Sequence, residues 1–583
     1  MTPEWLDQSS TPDCIALSCP VCGAAGPHPV LLRQMRTPGG IEGAAPHTLV
    51  RCTGCTACVF QDRTTPDYGN EAESELFQQM YLEQNAGIHH MVGVLFRLDG
   101  QGARSVLDVG CGFGYPVDLA AKVLGWRACG VDPAHYAEIG AKLLQVDLRR
   151  EYLTDASKLG EPFGLVMGSE VIEHIPTPYS FIALLRRWMQ PGGTLVLTTP
   201  NADMLHPEQD PANLVCMLSV GAHVILYSAR AIEVLLRRSG FAHIHTESDG
   251  NTLTAFASDQ PLRFDPEAPA RHLAGYRAYL EHLVATAELG RPLWNGAAGR
   301  LFELHSGGAP PAEALALWDR IARAWRSQFG IDLLRRHLPA PLREAEFGRN
   351  AMALLQAHAA AQPFNLGAVL AARAVLEHRL PGHTPESVLS YARPAFTVCV
   401  QARRVLEEAG LIDLALRNWA VQARLLMLDS LAELAPELEL ELLAAIAAGS
   451  GGTLGGRIDI PPGRMLPRMA QPFIRAVEEG RMQEAARLAP ALQDLDAVVA
   501  AQHSDPVTII LLLQAIGMLR LHFGDPAGAR AAFAGMAAQA AGWGAHPDWS
   551  AQAGPLLTLA NIHVSHMDGL ARPADAAAPA AAC

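Results

Sequence analysis

Lysine is almost missing. Of 45 basic residues only Lys122, Lys142 and Lys158 are not arginine, and alanine is in large excess. This is the mark of a GC-rich coding bias and bears on no function. Net positive charge is missing too: the chain sums to −14 with a pI near 5.9. That argues against a surface built to neutralise many phosphates and leaves room only for a local basic groove, so no nucleic-acid partner is expected. Long apolar runs are absent. The stretch 507–513 is among the longest and falls far short of the roughly 18–20 residues that cross a bilayer, so no membrane span is expected. Met1-Thr-Pro-Glu-Trp-Leu-Asp has neither the basic nor the apolar region of a secretory signal, so the expected compartment is the cytoplasm. Eleven cysteines in 583 residues are too few for a disulfide scaffold. With 49% hydrophobic and 18% charged residues the chain is globular, and its length points to about three to five domains.

The cysteines that are present are unevenly placed. Six lie in the first 58 residues. Cys19-Pro-Val-Cys22-Gly is a knuckle, two thiols three residues apart with a glycine that lets backbone amides face the sulfurs. Cys52-Thr-Gly-Cys55 is a second. Four thiolates can hold Zn²⁺ tetrahedrally, and a small hairpin module can fold around the ion with little core. Cys55-Thr-Ala-Cys58 is also a CxxC, so Cys58 competes with Cys52 or Cys55 as a ligand. The strand-like Thr-Leu-Val-Arg51 favours Cys19, Cys22, Cys52 and Cys55. Four cysteines close the coordination shell, which makes such a zinc structural.

Ser105-Val-Leu-Asp-Val109 reads as a buried parallel strand. It runs into Gly110-Cys-Gly112-Phe-Gly114, and a helix follows from about 117 to 124. Strand, glycine turn and helix N-terminus make a cradle for a nucleoside or dinucleotide, because glycine allows close approach of the backbone. Asp132 closes the next strand, where a carboxylate can accept both ribose hydroxyls. A nicotinamide fingerprint would want glycine at position 115, which is Tyr115.

Val106-Leu-Asp-Val-Gly-Cys-Gly-Phe-Gly114 resembles the first motif of class I S-adenosylmethionine-dependent methyltransferases. Further matches follow in order. Gly130-Val-Asp132 resembles the ribose-binding acid, and Gln145-Val-Asp147 the third-strand aspartate at the adenine. Residues 163–176, with Glu173 and His174, resemble the fourth strand and its loop. Gln190-Pro-Gly-Gly193 resembles the turn into the fifth strand, and Gly240-Phe241 the turn before the last hairpin. His223 precedes that turn at a spacing met in this branch. The resemblance spans about 15–258 and includes the CPxCG module, which is similar to that of bacterial methyltransferases of surface-glycan and secondary-metabolite pathways. Two positions depart from the pattern: Gly164 stands where aspartate is usual, and Thr56 where glycine follows the second knuckle. The resemblance implies S-adenosyl-L-methionine as cofactor, held by Asp108, Gly110, Gly112, Gly114, Asp132 and Asp147.

Methyl transfer from a sulfonium is an in-line displacement, so the protein mainly aligns donor and acceptor and excludes water. A base is needed only when the acceptor loses a proton. Glu173 and His174, just beyond the fourth strand, are the catalytic candidates, since ligands bind at that edge of an open α/β sheet. His223 and Tyr227 are secondary candidates on the acceptor side.

Beyond 261 the texture turns to Ala, Leu, Arg and Glu at helical spacing, with helices expected over 269–289, 311–336, 343–361, 367–379, 385–409 and 412–434. The segments 476–492 and 511–539 resemble tetratricopeptide hairpins. The expected architecture is α/β: a Rossmann-like seven-stranded methyltransferase domain (103–260), preceded by a zinc-ribbon module (1–62) and a helical linker (63–102). An all-α helical-hairpin region follows, divided into a helical domain (261–450), a Gly/Pro-rich linker (451–465), a second helical part (466–570) and a disordered tail (571–583). The expected reaction is methyl transfer to a hydroxyl of a sugar, glycan precursor or small metabolite, with a protein partner for the C-terminal helices. A carbon, nitrogen or protein acceptor is the alternative, and a helical scaffold with a passive cofactor-binding module is the third.

Overall fold

Alternating apolar residues in the first sixty positions build a small antiparallel sheet. Its strands are β1 (Glu4–Trp5), β2 (Cys14–Ser18), β3 (Ala25–Gln34), β4 (His47–Arg51) and β5 (Cys58–Phe60). The computed structural model describes residues 4–6, 13–34, 47–70, 75–84, 88–98, 104–207, 209, 211–334, 338–339, 350–408, 411, 414–434, 472–488, 506–542 and 550–570. The linker expected at 451–465 and the tail expected at 571–583 lie outside them.

Helices α1 (Glu75–Gln84) and α2 (Ile88–Arg97) lead into the central sheet. Its parallel strands are the apolar runs β6 (Ser105–Val109), β7 (Arg127–Asp132), β8 (Leu148–Arg150), β9 (Phe163–Ser169) and β10 (Met189–Pro200). Every residue of β6 and β9 is buried, as strands covered on both faces require. The two-residue β11 (Ile225–Leu226) belongs to the first sheet instead. The hairpin β12 (His243–Ser248) and β13 (Thr252–Ser258) completes the order β12-β13-β10-β9-β6-β7-β8, seven strands with β13 antiparallel to β10. Helices α3 (Tyr115–Lys122), α4 (Tyr136–Leu144), α5 (Pro178–Arg187), α6 (Pro211–Leu218) and α7 (Ala229–Arg238) connect the strands. Ser228 caps α7, its hydroxyl accepting from Ala231 N–H at 3.0 Å.

The cysteine-bearing sheet is not a separate body. β11 extends it by pairing with β5, Ile225 opposite Val59 and Leu226 opposite Cys58. Val21, Val30 and Val59 share one apolar core with Tyr227, Leu235 and Leu197 of the central domain. Thr56 adopts φ +67°, the left-handed conformation that glycine would take there. Its hydroxyl lies 2.6 Å from that of Ser228.

Helices α8 (Ala268–Thr286), α9 (Pro292–Gly308), α10 (Pro311–Phe329), α11 (Ala351–Ala361) and α12 (Leu366–Arg379) follow. α10 stops at Phe329 with Gly330 in the left-handed C-cap, earlier than the sequence spacing predicts. α9 is a helix that sequence reasoning missed, because Asn295-Gly-Ala-Ala-Gly299 reads as loop. It is buried along most of its length, and a Cβ at Gly299 would meet the Asn365 amide at 2.3 Å. Residues 1–376 with 401–416 form one compact unit, and 377–400 with 417–583 another. The division falls inside the stretch expected as one helical domain. Within the second unit, helices Pro506–His522, Pro526–Gly542 and Ser550–Leu570 pack in series. The turn after the first holds Gly524 at φ +79°, and the Phe533 ring fills the space over Gly517. Among the described residues no single helix is long and apolar enough to cross a membrane.

A buried polar hub ties the helices of the first unit. Glu83 of α1 accepts from the Phe364 N–H at 2.9 Å and from the Asn295 amide at 3.0 Å. Asn295 in turn accepts from the Trp325 indole at 2.9 Å. Burial pushes the Glu83 carboxyl from 4.5 up to about 7, against the pull of those donors. The unfolded chain ionises first, so this group's contribution is complete below about 4.5 and lost as pH rises through about 7. Thermal melts should show wild-type stability falling relative to Glu83→Gln across that window, by on the order of 3 kcal/mol. Parallel pH profiles of the two proteins would contradict this.

Candidate active site

The glycine turn after β6 is built by three backbone demands. Gly110, Gly112 and Gly114 all hold positive φ, at +76°, +52° and +80°. A Cβ on Gly110 would strike Val171 at 2.4 Å, and one on Gly114 would strike Leu148 at 2.4 Å. At Gly112 a Cβ would meet nothing within 4 Å. Two of the glycines therefore serve packing, and the third leaves an opening that a side chain would fill. Gly112 N–H donates to the Asp132 carboxylate at 2.8 Å, and Ala134 N–H donates to its other oxygen at 2.8 Å. Asp108 is buried beneath the turn with one oxygen unpartnered. Burial, then the Asp132 charge, raises its carboxyl to about 7.

Beside the turn lies a cavity of about 360 Å³, within the range of small-molecule sites. Gly110, Asp132, Tyr136, Glu151, Glu170 and His174 are on its wall. The turn and Asp132 thus meet there. Asp147 does not: it precedes β8, and its carboxylate pairs with Arg149 at 3.1 Å. β8 pairs in parallel with β7, Arg150 opposite Asp132, so Glu151 is the acid just past the strand's C-terminal end. Glu151 and Tyr152 line the cavity in its place, and one Glu151 oxygen is buried without a partner. Strand register was the signal that could have found it. The opening at Gly112 with a carboxylate beside it fits the nucleoside end of S-adenosylmethionine.

Glu173 and His174 sit in a 3₁₀ turn (Ile172–His174) after β9. Glu173 is fully buried: one oxygen accepts from the Thr199 hydroxyl at 3.0 Å, and the other has no hydrogen-bond partner. Burial, then the Glu170 charge, pushes its carboxyl well up. His174 Nδ1 lies 3.1 Å from the Ala222 carbonyl and 2.7 Å from the Tyr68 hydroxyl. A protonated Nδ1 donates to the Ala222 carbonyl and leaves Nε2 as the basic nitrogen, whereas a bare Nδ1 accepts from the Tyr68 hydroxyl. His223 Nδ1 lies 2.8 Å from the Met217 carbonyl. Burial pulls His223 down to about 3, so it is neutral. Tyr227 is fully buried in the shared core and is not on the cavity wall. Glu170, at φ +55°, accepts from Thr198 at 2.9 Å on that wall. Glu170 and Tyr68 are site residues that sequence reasoning did not single out.

The four knuckle sulfurs lie within 4.8 Å of one another. Cys19 and Cys55 are 3.7 Å apart and Cys22 and Cys52 3.5 Å. Zinc–sulfur bonds of about 2.3 Å imply tetrahedral edges of about 3.8 Å, so the set fits a bound ion. Cys58 stands apart in β5, with the Thr56 carbonyl as its sulfur's neighbour.

A parallel sheet with a glycine turn and an acid at its C-terminal edge is the architecture of α/β domains that bind nucleoside-bearing cofactors. Residues 74–246 match the protein family described as a methyltransferase domain. A Mycolicibacterium smegmatis protein named as a probable S-adenosylmethionine-dependent methyltransferase is 32% identical over 141 residues, 24% of this chain and 52% of that protein. A ubiquinone biosynthesis O-methyltransferase of Cereibacter sphaeroides is 35% identical over 107 residues, 17% of this chain and 42% of its own length. The chain thus spans about half the length of the curated relatives it matches. A solved O-methyltransferase family protein from Burkholderia thailandensis aligns with TM-score 0.28 and 18% identity over 34% of this chain and 65% of that one.

The glycines make a differential prediction. Gly110→Ala should lower the thermal midpoint strongly, by the overpacking cost of about 1–3 kcal/mol plus left-handed strain. Gly112→Ala should cost only the strain, about 1 kcal/mol. Equal losses would contradict the packing assignment.

Proposed function

We propose that this chain transfers the methyl group of S-adenosylmethionine to a hydroxyl oxygen of a sugar, glycan precursor or small metabolite. The observation that carries the reading is a cavity walled by Gly110 and Asp132 that also reaches Glu170 and His174, with open space over Gly112 where its N–H holds the Asp132 carboxylate. The bound cofactor supplies an activated methyl group on a sulfonium. Asp132 keeps lone pairs free for the ribose hydroxyls while its backbone contacts hold it still, and Gly110 and Gly112 let main chain approach the nucleoside. Glu151 and Tyr152, on the same wall, would hold the base of the nucleoside. The acceptor enters from the side of Tyr68, Glu170 and His174, and its proton is lost at that corner. Relatives named as O-methyltransferases support oxygen as the acceptor atom.

The four cysteines hold a structural Zn²⁺ in this reading. The ion clamps the two knuckles, and through the β5–β11 pairing it keeps the acceptor side in register.

Two measurements test these statements. Calorimetry with S-adenosylhomocysteine should show binding to the wild type and a loss of about 10–100-fold in Asp132→Ala, the worth of hydrogen bonds to a charged group. No binding to the wild type would remove the enzyme assignment, and radiolabel from the methyl donor appearing on nitrogen or protein in a lysate would remove the oxygen acceptor. Chelation should make residues 13–60 sensitive to protease while S-adenosylhomocysteine still binds. Unchanged proteolysis after proven metal removal would rule out the structural role.

A further inference from the structure

A carboxylate oxygen and two imidazoles converge beside the cavity wall. Glu173 Oε1 is fully buried and unpartnered. His174 Nε2 and His223 Nε2 each lie 3.9 Å from it. The rings meet edge to face, centroids 4.7 Å apart, and the three atoms all lie within 4.8 Å of one another. His223 has the Met217 carbonyl at its Nδ1, and His174 has the Ala222 carbonyl and the Tyr68 hydroxyl at its Nδ1; with Nδ1–H donated to those oxygens, both Nε2 atoms are free to ligate.

A distance of 3.9 Å is too long for a direct hydrogen bond. A tetrahedral ion with bonds of about 2.1 Å to nitrogen and oxygen implies ligand–ligand edges of about 3.4 Å, so the three atoms stand about half an ångström wider than a closed shell and would draw together around a bound ion. The surroundings match that use. Ligating histidines generally donate their other N–H to a carbonyl, and ligating carboxylates are themselves hydrogen-bonded. Here Thr199 donates to the second oxygen of Glu173 at 3.0 Å. Val224 N–H donates to the Glu173 carbonyl at 2.8 Å, which fixes the two ligand-bearing segments against each other.

We propose that Glu173, His174 and His223 bind a divalent transition cation, a second metal site distinct from the four cysteines. Two imidazoles and one carboxylate select Zn²⁺, Fe²⁺ or Mn²⁺ over Mg²⁺ or Ca²⁺. Three protein ligands leave a fourth position open, and His174 stands on the cavity wall. The site's role, though not its existence, rests on the methyl-transfer reading above. An acceptor hydroxyl coordinated there loses its proton to solvent water. Its oxygen pair then forms the bond to methyl carbon as the carbon–sulfur bond breaks onto sulfur.

Metal-stripped full-length chain titrated with Zn²⁺ should take up two equivalents. With Co²⁺, one equivalent should show sulfur-to-cobalt charge transfer and the other only weak ligand-field bands. His223→Asn, and separately His174→Gln, should take up one equivalent and keep the sulfur band. S-adenosylhomocysteine binding should be unchanged in His223→Asn, whose side chain is not on the cavity wall. A single equivalent in the wild type overturns the site, and so does two in both variants. Failure of the wild type to bind S-adenosylhomocysteine instead removes the methyl-transfer reading and leaves the metal result standing. If a variant misfolds, the wild-type titration still decides.

Discussion

The pairing of two residues with two others holds the working half of this molecule together. Val59 and Cys58 of β5 meet Ile225 and Leu226 of β11, and the Phe60 N–H donates to the Val224 carbonyl at 3.1 Å. Through its own N–H Val224 then grips Glu173. A chain of main-chain bonds therefore runs from the cysteine knuckles to the loop after β9. Main-chain geometry is stiffer than side-chain contact, so the position of His223 is set by the N-terminal sheet as much as by its own segment. Ser228 adds a second tie, capping α7 while touching Thr56 and the Cys55 carbonyl.

What was legible in the sequence follows from how local each signal is. The β6 strand, its glycines and Asp132 are one continuous pattern, and the structure places them together. The second knuckle was ambiguous only until Cys58 was seen to pair within β5. Asp147 shows the limit: a motif match gives a position in sequence, while facing the cavity depends on which end of β8 a residue occupies. Glu151, four residues on, is at the right end. Glu170 and Tyr68 reach the cavity through tertiary placement and carry no pattern of their own. α9 was hidden for a different reason. Its glycines look like loop but serve close approach, since Asn365 packs where a Cβ of Gly299 would be.

The helices after the sheet are joined to it by polar groups as well as by apolar faces. Tyr279 donates to the buried Asp118 of α3 at 2.8 Å, and the Phe96 ring lies where a Cβ of Gly275 would sit. Asp118 is one turn into the helix that opens from the cofactor turn. The helical region of the first unit thus braces the helix whose N-terminus carries Gly114. Glu83 and Asn295 do the same between α1, α9 and α10, with each donor and acceptor answered inside the hub.

The shortness of β11 has a practical meaning for anyone cutting this chain into parts. A fragment starting after residue 62 would bare the edge of Ile225–Leu226 and the apolar side chains around it, an open strand ready to stick to its neighbours. A fragment ending at residue 62 would lose the other half of its core. The cysteine-knuckle segment and the central α/β domain are consequently one cloning unit, and borrowing either for a chimera would mean redesigning the seam at Val59 and Ile225.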